Sequence, residues 1–131
     1  MKTDMTYVSW ASIEEMVENL AKQVRASEKD YAYIAGVVRG GLVPAVMLSH
    51  KLDLPMVAIN PNDEVSQHHE VLIVDEIYDT GKTMRTLMEN NPRADFAVLF
   101  HNTDLAPLKY FAVKRKLDDW IVFPWEKNNE Q

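Results

Sequence analysis

Two adjacent carboxylates, Asp75 and Glu76, follow directly on the apolar run Val71-Leu72-Ile73-Val74, and a third, Asp79, precedes the turn Thr80-Gly81-Lys82-Thr83. Grouped carboxylates can hold hydroxyls, hold a hard cation or move a proton. A Thr-Gly-Lys-Thr turn that opens a helix presents backbone N–H groups and hydroxyls to an anion. Acids beside such a cradle suit a ligand that carries both hydroxyls and phosphate, such as a phosphorylated ribose. Gly81-Lys82-Thr83 also spells the tail of a nucleotide-binding P-loop, but that loop needs a glycine five residues before Gly81. Glu76 stands there, and its charge would repel a triphosphate.

A second turn follows the same logic. In Gly36-Val37-Val38-Arg39-Gly40-Gly41-Leu42-Val43-Pro44 an apolar stretch ends in one cation and two glycines, and helix-forming residues begin at once. Glycines let backbone N–H groups approach an anion closely, and a helix N-terminus adds partial positive charge. Arg39 adds a full charge on a planar fork that matches phosphate oxygens.

These turns need strands and helices to hold them. The uninterrupted run before Asp75 reads as a strand at 70–76, buried on both faces of a parallel sheet, so the acids fall at its C-terminal end. Tyr31 to Val38 reads as a first central strand, Leu42 to Leu52 as a helix with Pro44 in its first turn, and Met56 to Ile59 as a short strand. A capping box at Ser12-Ile13-Glu14-Glu15 predicts a helix over about 12–26, with Ile13, Met16, Val17, Leu20 and Val24 on one face. A helix from about 81 to 90 follows the acids, then a buried strand Asp95 to Phe100 and short extended pieces at Tyr110 to Val113 and Trp120 to Phe123. Residues 60–69 are polar and loop-like, and the adjacent His68 and His69 read as solvated surface rather than metal ligands. The tail Glu126 to Gln131 reads as polar and frayed. Strands alternating with helices predict an α/β fold, three layers with a mainly parallel sheet.

At 131 residues the chain predicts a single domain, 1–131, with one packed core. An apolar fraction of 47% and a charged fraction of 26% are those of an ordinary globule. Without cysteine, neither a disulfide framework nor a Cys-based zinc site is available, and a reducing, cytoplasmic setting is the expectation. No apolar run approaches the roughly 20 residues that span a bilayer. The net charge of −6 has the wrong sign for a nucleic-acid surface. A polyphosphate ligand must therefore be met by local cations: Arg39, Lys82, Arg85 and Lys114-Arg115-Lys116.

The stretch from Val71 to Thr83 resembles the phosphoribosyl-pyrophosphate (PRPP) signature of the type I phosphoribosyltransferases. Gly36 to Pro44 resembles the pyrophosphate loop of their bacterial xanthine-guanine subfamily, as do Tyr7-Val8-Ser9-Trp10 and Trp120-Ile121-Val122-Phe123-Pro124-Trp125-Glu126. The resemblance implies the fold of that family, with a small hood built from the two ends of the sequence. It implies Mg²⁺-dependent transfer of phosphoribosyl from PRPP to a purine, a 6-oxopurine first of all, in purine salvage. By the same resemblance Thr80, Gly81, Lys82 and Thr83 bind the 5′-phosphate, and Asp75 and Glu76 hold the ribose hydroxyls directly or through Mg²⁺. Val38, Arg39, Gly40 and Gly41 bind pyrophosphate, and Asp79 faces the purine as general base.

A purine needs an aromatic face to stack on and backbone groups to read its edge; Trp120 and the Ile121 backbone are the candidates, with Trp125 as packing. Relatives place a purine-reading lysine shortly after the strand that follows the PRPP motif. Here that place reads Phe100-His101-Asn102-Thr103, where Asn102 offers hydrogen bonding without charge. The expected partners are PRPP and a purine base, with neither nucleic acid nor membrane, and assembly as a homodimer or larger. The competing reading is a non-catalytic PRPP-binding regulator on the same fold.

Overall fold

A computed structural model describes residues 4–65, 70–78, 82–101, 108–114 and 119–127 of the chain. The expected roles of Asp79, Thr80, Gly81 and Asn102, and the pair His68-His69, fall outside these residues.

The elements run β1 (Asp4–Tyr7), α1 (Trp10–Ser27), β2 (Tyr33–Val37), α2 (Leu42–Leu52), β3 (Met56–Ile59), β4 (Val71–Tyr78), α3 (Lys82–Asn90), β5 (Asp95–His101), β6 (Tyr110–Lys114) and β7 (Asp119–Val122). Five strands form one parallel sheet in the order β3-β2-β4-β5-β6. The chain steps outward from β2 to β3, then crosses back over β2 to β4 and continues to β5 and β6. Its direction reverses between β2 and β4, and at such a reversal the loops leaving the two strand ends part and open a crevice. Gly36 sits in register with Val74, so the Arg39 turn and the Asp75-Glu76 pair leave neighbouring strands side by side.

Both faces of the sheet are covered. One core gathers Ile13, Val17, Leu20 and Leu48 of α1 and α2 over Leu72, Val74 and Leu99; the other gathers Met84 and Leu87 of α3 over Ile73, Val98 and Tyr78. Val71, Leu72, Ile73 and Val74 are each 0% exposed, which is why this strand reads as a continuous apolar run rather than an alternating one.

Most element boundaries shift by one or two residues from the sequence expectation, and three of the shifts are informative. Helix α1 starts at Trp10, and Ser9 rather than Ser12 caps it: Ser9 Oγ accepts the Ser12 N–H at 3.1 Å. Two serines three residues apart offer the same local signal, and the one that sets the helix is where the chain leaves β1. Strand β4 runs to Tyr78 instead of stopping at 76, because β5 keeps pairing with it through Ile77↔Phe100 and Tyr78↔His101. Strand β2 begins at Tyr33, two residues later than expected.

Strand β1 is not among the expected strands, although the resemblance implies a hood from the two ends of the sequence. It pairs in parallel with β7, Met5 opposite Trp120 and Tyr7 opposite Val122, as a separate two-stranded hood above the main sheet. The hood is fastened by aromatic packing: Phe123 lies 5.8 Å from Phe100 of β5, and Trp125 stacks on Phe123 at 4.8 Å and leans on Trp10 at 5.9 Å.

At the N-terminal ends of the strands a polar network ties α1, the loop that follows it, β5 and β6. Lys29 Nζ and Tyr31 Oη both donate to Asp95 Oδ2, and the Tyr110 hydroxyl, 2.8 Å from Tyr31 Oη and 2.9 Å from Ser27 Oγ, links that pair to α1. Burial, reinforced by these bonds, pushes the Tyr31 hydroxyl far above its ordinary range, so it stays protonated and donates to Asp95.

Candidate active site at the sheet crossover

The crevice predicted by the strand order is present. A cleft of about 870 Å³ has Arg39, Gly40, Glu76 and Ile77 along its sheet side. Its other side is the hood and the turn that follows it: Trp120, Ile121, Phe123, Trp125, Glu126 and Lys127. Folding thus brings the Arg39 turn, one of the paired acids and the C-terminal aromatic run to one place.

The sheet side is built by close backbone contact. Gly41 N–H donates to the Val37 carbonyl at 3.0 Å and Leu42 N–H to the Arg39 carbonyl at 3.1 Å, so the chain folds tightly between β2 and α2. The Val38–Arg39 peptide bond is cis. A Cβ on Gly41 would lie 2.7 Å from the carbonyl oxygens of both Val37 and Val74, so only glycine lets the turn nest against β4. Helix α2 opens at Gly41 with no side-chain cap and no acid in its first turn, which leaves its positive end facing the cleft. Arg39 is exposed beside it. Helix α3 likewise has no acid in its first turn, and Lys82 and Thr83 are exposed at its start.

The two acids differ. Asp75 is buried at 7% exposure and its Oδ1 accepts the Glu76 backbone N–H at 2.8 Å. Burial, with the neighbouring Glu76 carboxyl adding to it, holds the Asp75 carboxyl above the ordinary carboxylate range. Glu76 is half-buried and reaches the cleft. Among the described residues no group of three or more His, Asp or Glu side chains could hold a metal ion unaided. The Asp75-Glu76 pair supplies what Mg²⁺ takes from protein when substrate oxygens and water complete its shell, one or two carboxylates.

On the hood side Trp120 is 53% exposed and lines the cleft, while Ile121 beside it is buried. Trp125 packs as expected, stacked on Phe123 and against the larger core. The frayed tail expected from Glu126 does not begin there: Glu126 N–H donates to the Phe123 carbonyl and its Oε1 accepts the Phe123 N–H, closing a turn that carries Lys127 into the cleft wall. Sequence reasoning missed Ile77, Phe123, Glu126 and Lys127 as cleft residues. The one available signal was Pro124 before Trp125-Glu126, a turn former that argues against fraying.

An exposed aromatic face, a half-buried carboxylate and the Arg39 turn at the start of α2 come together at the cleft and can receive a flat base, a polyol and an anion, whereas Asp75, Lys82 and Thr83 are not among the described residues that line it. No family model matches the chain. The xanthine-guanine phosphoribosyltransferase of Idiomarina loihiensis is 30% identical over 139 residues, spanning 92% of this chain and 86% of that protein. The crystal structure of a purine phosphoribosyltransferase from Pyrococcus horikoshii superposes with a TM-score of 0.78 at 32% identity, over 95% of this chain and 96% of that one. The xanthine-guanine-hypoxanthine phosphoribosyltransferase of Helicobacter pylori does so with a TM-score of 0.76 at 26% identity, over 95% of each chain. Among the described residues no helix is long and apolar enough to cross a membrane.

Proposed function

Since this chain belongs to the xanthine-guanine phosphoribosyltransferase family and is an enzyme of that type, we propose that it transfers the phosphoribosyl group of PRPP to a 6-oxopurine and releases pyrophosphate, in purine salvage in the cytoplasm. The observation that carries this reading is the single cleft that joins Arg39 and Gly40, Glu76 and the exposed face of Trp120. A regulator that only sensed PRPP would have no use for an aromatic platform facing the acids.

In this reading the Arg39-Gly40-Gly41 turn and the start of α2 receive pyrophosphate, while Lys82 and Thr83, with Thr80 and Gly81, receive the 5′-phosphate. Asp75 and Glu76 take the ribose hydroxyls, and they are the residues that would hold Mg²⁺. When bound, Mg²⁺ would neutralise charge on the departing pyrophosphate. The bond from ribose C1 to the pyrophosphate oxygen breaks and a bond from C1 to a purine nitrogen forms, through a cationic centre at C1. Asp79 takes the proton that the purine nitrogen gives up. Trp120 and the Ile121 backbone hold the base in line with the leaving group, and that alignment is a large share of the catalysis. The enzyme works as one domain and as a homodimer or larger assembly, which sedimentation at micromolar concentration checks. Pyrophosphate release with Mg·PRPP and a panel of xanthine, guanine, hypoxanthine, adenine and pyrimidines tests the whole reading. It is lost if no base in the panel supports turnover.

A further inference from the structure

The carbonyl-bearing edge of an oxopurine offers lone pairs, and a pocket that selects it needs a donor that cannot also accept. The segment leaving β5, Phe100-His101-Asn102-Thr103, brings neither lysine nor arginine. Lys114 of the neighbouring strand is in register with His101. The His101 ring packs against Tyr78 and Phe111, which belong to the α3 side of the sheet. The cleft residues Ile77, Ile121, Phe123 and Trp125 belong to the other side. Lys114 therefore lies across the sheet from the cleft.

Among the described residues two cations line the cleft itself, Arg39 and Lys127. Arg39 shares the sheet side with Gly40 and Glu76, where the leaving group is placed. Lys127 stands on the hood side with Trp120 and Ile121. It rises from a turn that is held twice, by the Phe123–Glu126 hydrogen bonds and by the Phe123–Trp125 stack at 4.8 Å and 9° between planes. The Glu126 carboxylate is engaged in that turn through Oε1, and Lys127 is exposed.

We propose that Lys127 is the cation that reads the purine: its ammonium donates to a carbonyl oxygen on the edge of the base stacked on Trp120, and so selects oxopurines over 6-aminopurines. An ammonium has three donors and no acceptor, so it matches a carbonyl and leaves an exocyclic amino group unpaired. This assignment rests on the phosphoribosyltransferase reading above.

Steady-state kinetics with Mg·PRPP on the parent, Lys127→Ala and Lys127→Arg tests it. In Lys127→Ala, kcat/KM for xanthine, guanine and hypoxanthine falls about tenfold or more through a higher KM for the base. The KM for PRPP and the melting temperature stay at the parent's values, kcat/KM for adenine does not fall, and Lys127→Arg keeps most of the oxopurine activity. An unchanged base KM in Lys127→Ala overturns the proposal, as does an equal rise in the KM values for base and PRPP. A parent with no turnover on any purine overturns the phosphoribosyltransferase reading as well, which separates the two failures.

Discussion

The carboxylate of Glu76 lies where a side chain on Gly40 would begin: a Cβ built on Gly40 falls 1.3 Å from Glu76 Oε2 and 2.5 Å from its Cδ. The turn after β2 and the acid of β4 are thus fitted to each other, and a methyl group on the turn would evict the acid. The end of a glutamate side chain can swing aside, so Gly40→Ala keeps its fold but loses the placement of Glu76. Affinity for Mg·PRPP then falls by about tenfold or more, on the scale of one charged contact. Gly41→Ala behaves differently, because its Cβ would meet backbone carbonyls of β2 and β4 at 2.7 Å, which cannot move aside cheaply. It lowers stability by about 3 kcal/mol. Denaturant titration and calorimetric binding on both variants check the contrast; equal affinity of Gly40→Ala and the parent would remove Glu76 from the PRPP site.

Asp79→Asn keeps size and polarity and removes the charge to which the proposed function gives the purine proton. Turnover falls by ~10²–10⁴-fold, the usual contribution of a general base, while Mg·PRPP binding stays close to the parent. Rapid-quench turnover beside equilibrium binding separates the two quantities. Unchanged turnover would take the base role away from Asp79.

The two hood tryptophans have opposite fates. In the proposed function Trp120, 53% exposed at the cleft, contributes stacking worth ~1–3 kcal/mol to a bound base. Trp120→Ala therefore raises the KM for the base tenfold or so and leaves the melting temperature alone. Trp125, stacked on Phe123 and against Trp10, contributes to the fold. Trp125→Ala costs about 2 kcal/mol of stability, less than a fully buried tryptophan would. Calorimetry on both variants, with kinetics on Trp120→Ala, tests the assignment.

The network around Asp95 predicts an acid-side loss of stability. Burial pushes the Asp95 carboxyl up, but hydrogen bonds from Lys29 and Tyr31 and the charges of Lys29 and Lys109 outweigh it, and the net shift is downward. A carboxyl depressed in the folded state binds its proton more tightly when unfolded. Its stabilisation is then complete above the ordinary aspartate range near ~4 and disappears as pH falls through the depressed folded-state value. Asp95→Asn lowers the melting temperature at neutral pH, and the gap to the parent closes as the pH is taken below ~4. A gap that stays constant down to pH ~2 would show that the charge of Asp95 contributes nothing.

The legible parts of this chain are those whose signals are local. Helix α2 and strand β3 are found to the residue, because a glycine turn and an αL residue at Asp53 bracket the helix on either side. The acid strand and the Arg39 turn are legible for the same reason, since each carries its chemistry within a few consecutive residues. Strand β1 offered only four residues, and its partner Asp119–Val122 lies more than a hundred positions away. Glu126 and Lys127 read as tail because nothing near them in sequence reveals the cleft they face. Their environment exists only once Trp120 is paired with Met5 and Phe123 is packed on Phe100.

The pairing of β1 with β7 also sets an order of events during synthesis. The five-stranded sheet can be assembled, and the Arg39 turn shaped, as soon as β6 has left the ribosome. The first strand made must wait, unpaired, for the last one. Contacts between such distant segments form late unless intervening structure brings them together, because closing the chain costs entropy that only the finished contact repays. Nascent chains of this protein thus pass through a stage that has the Arg39 turn and Glu76 but not yet the Trp120 wall of the cleft. The cleft closes only when Trp120 emerges and meets Met5, so its hood side is also the last part to mature.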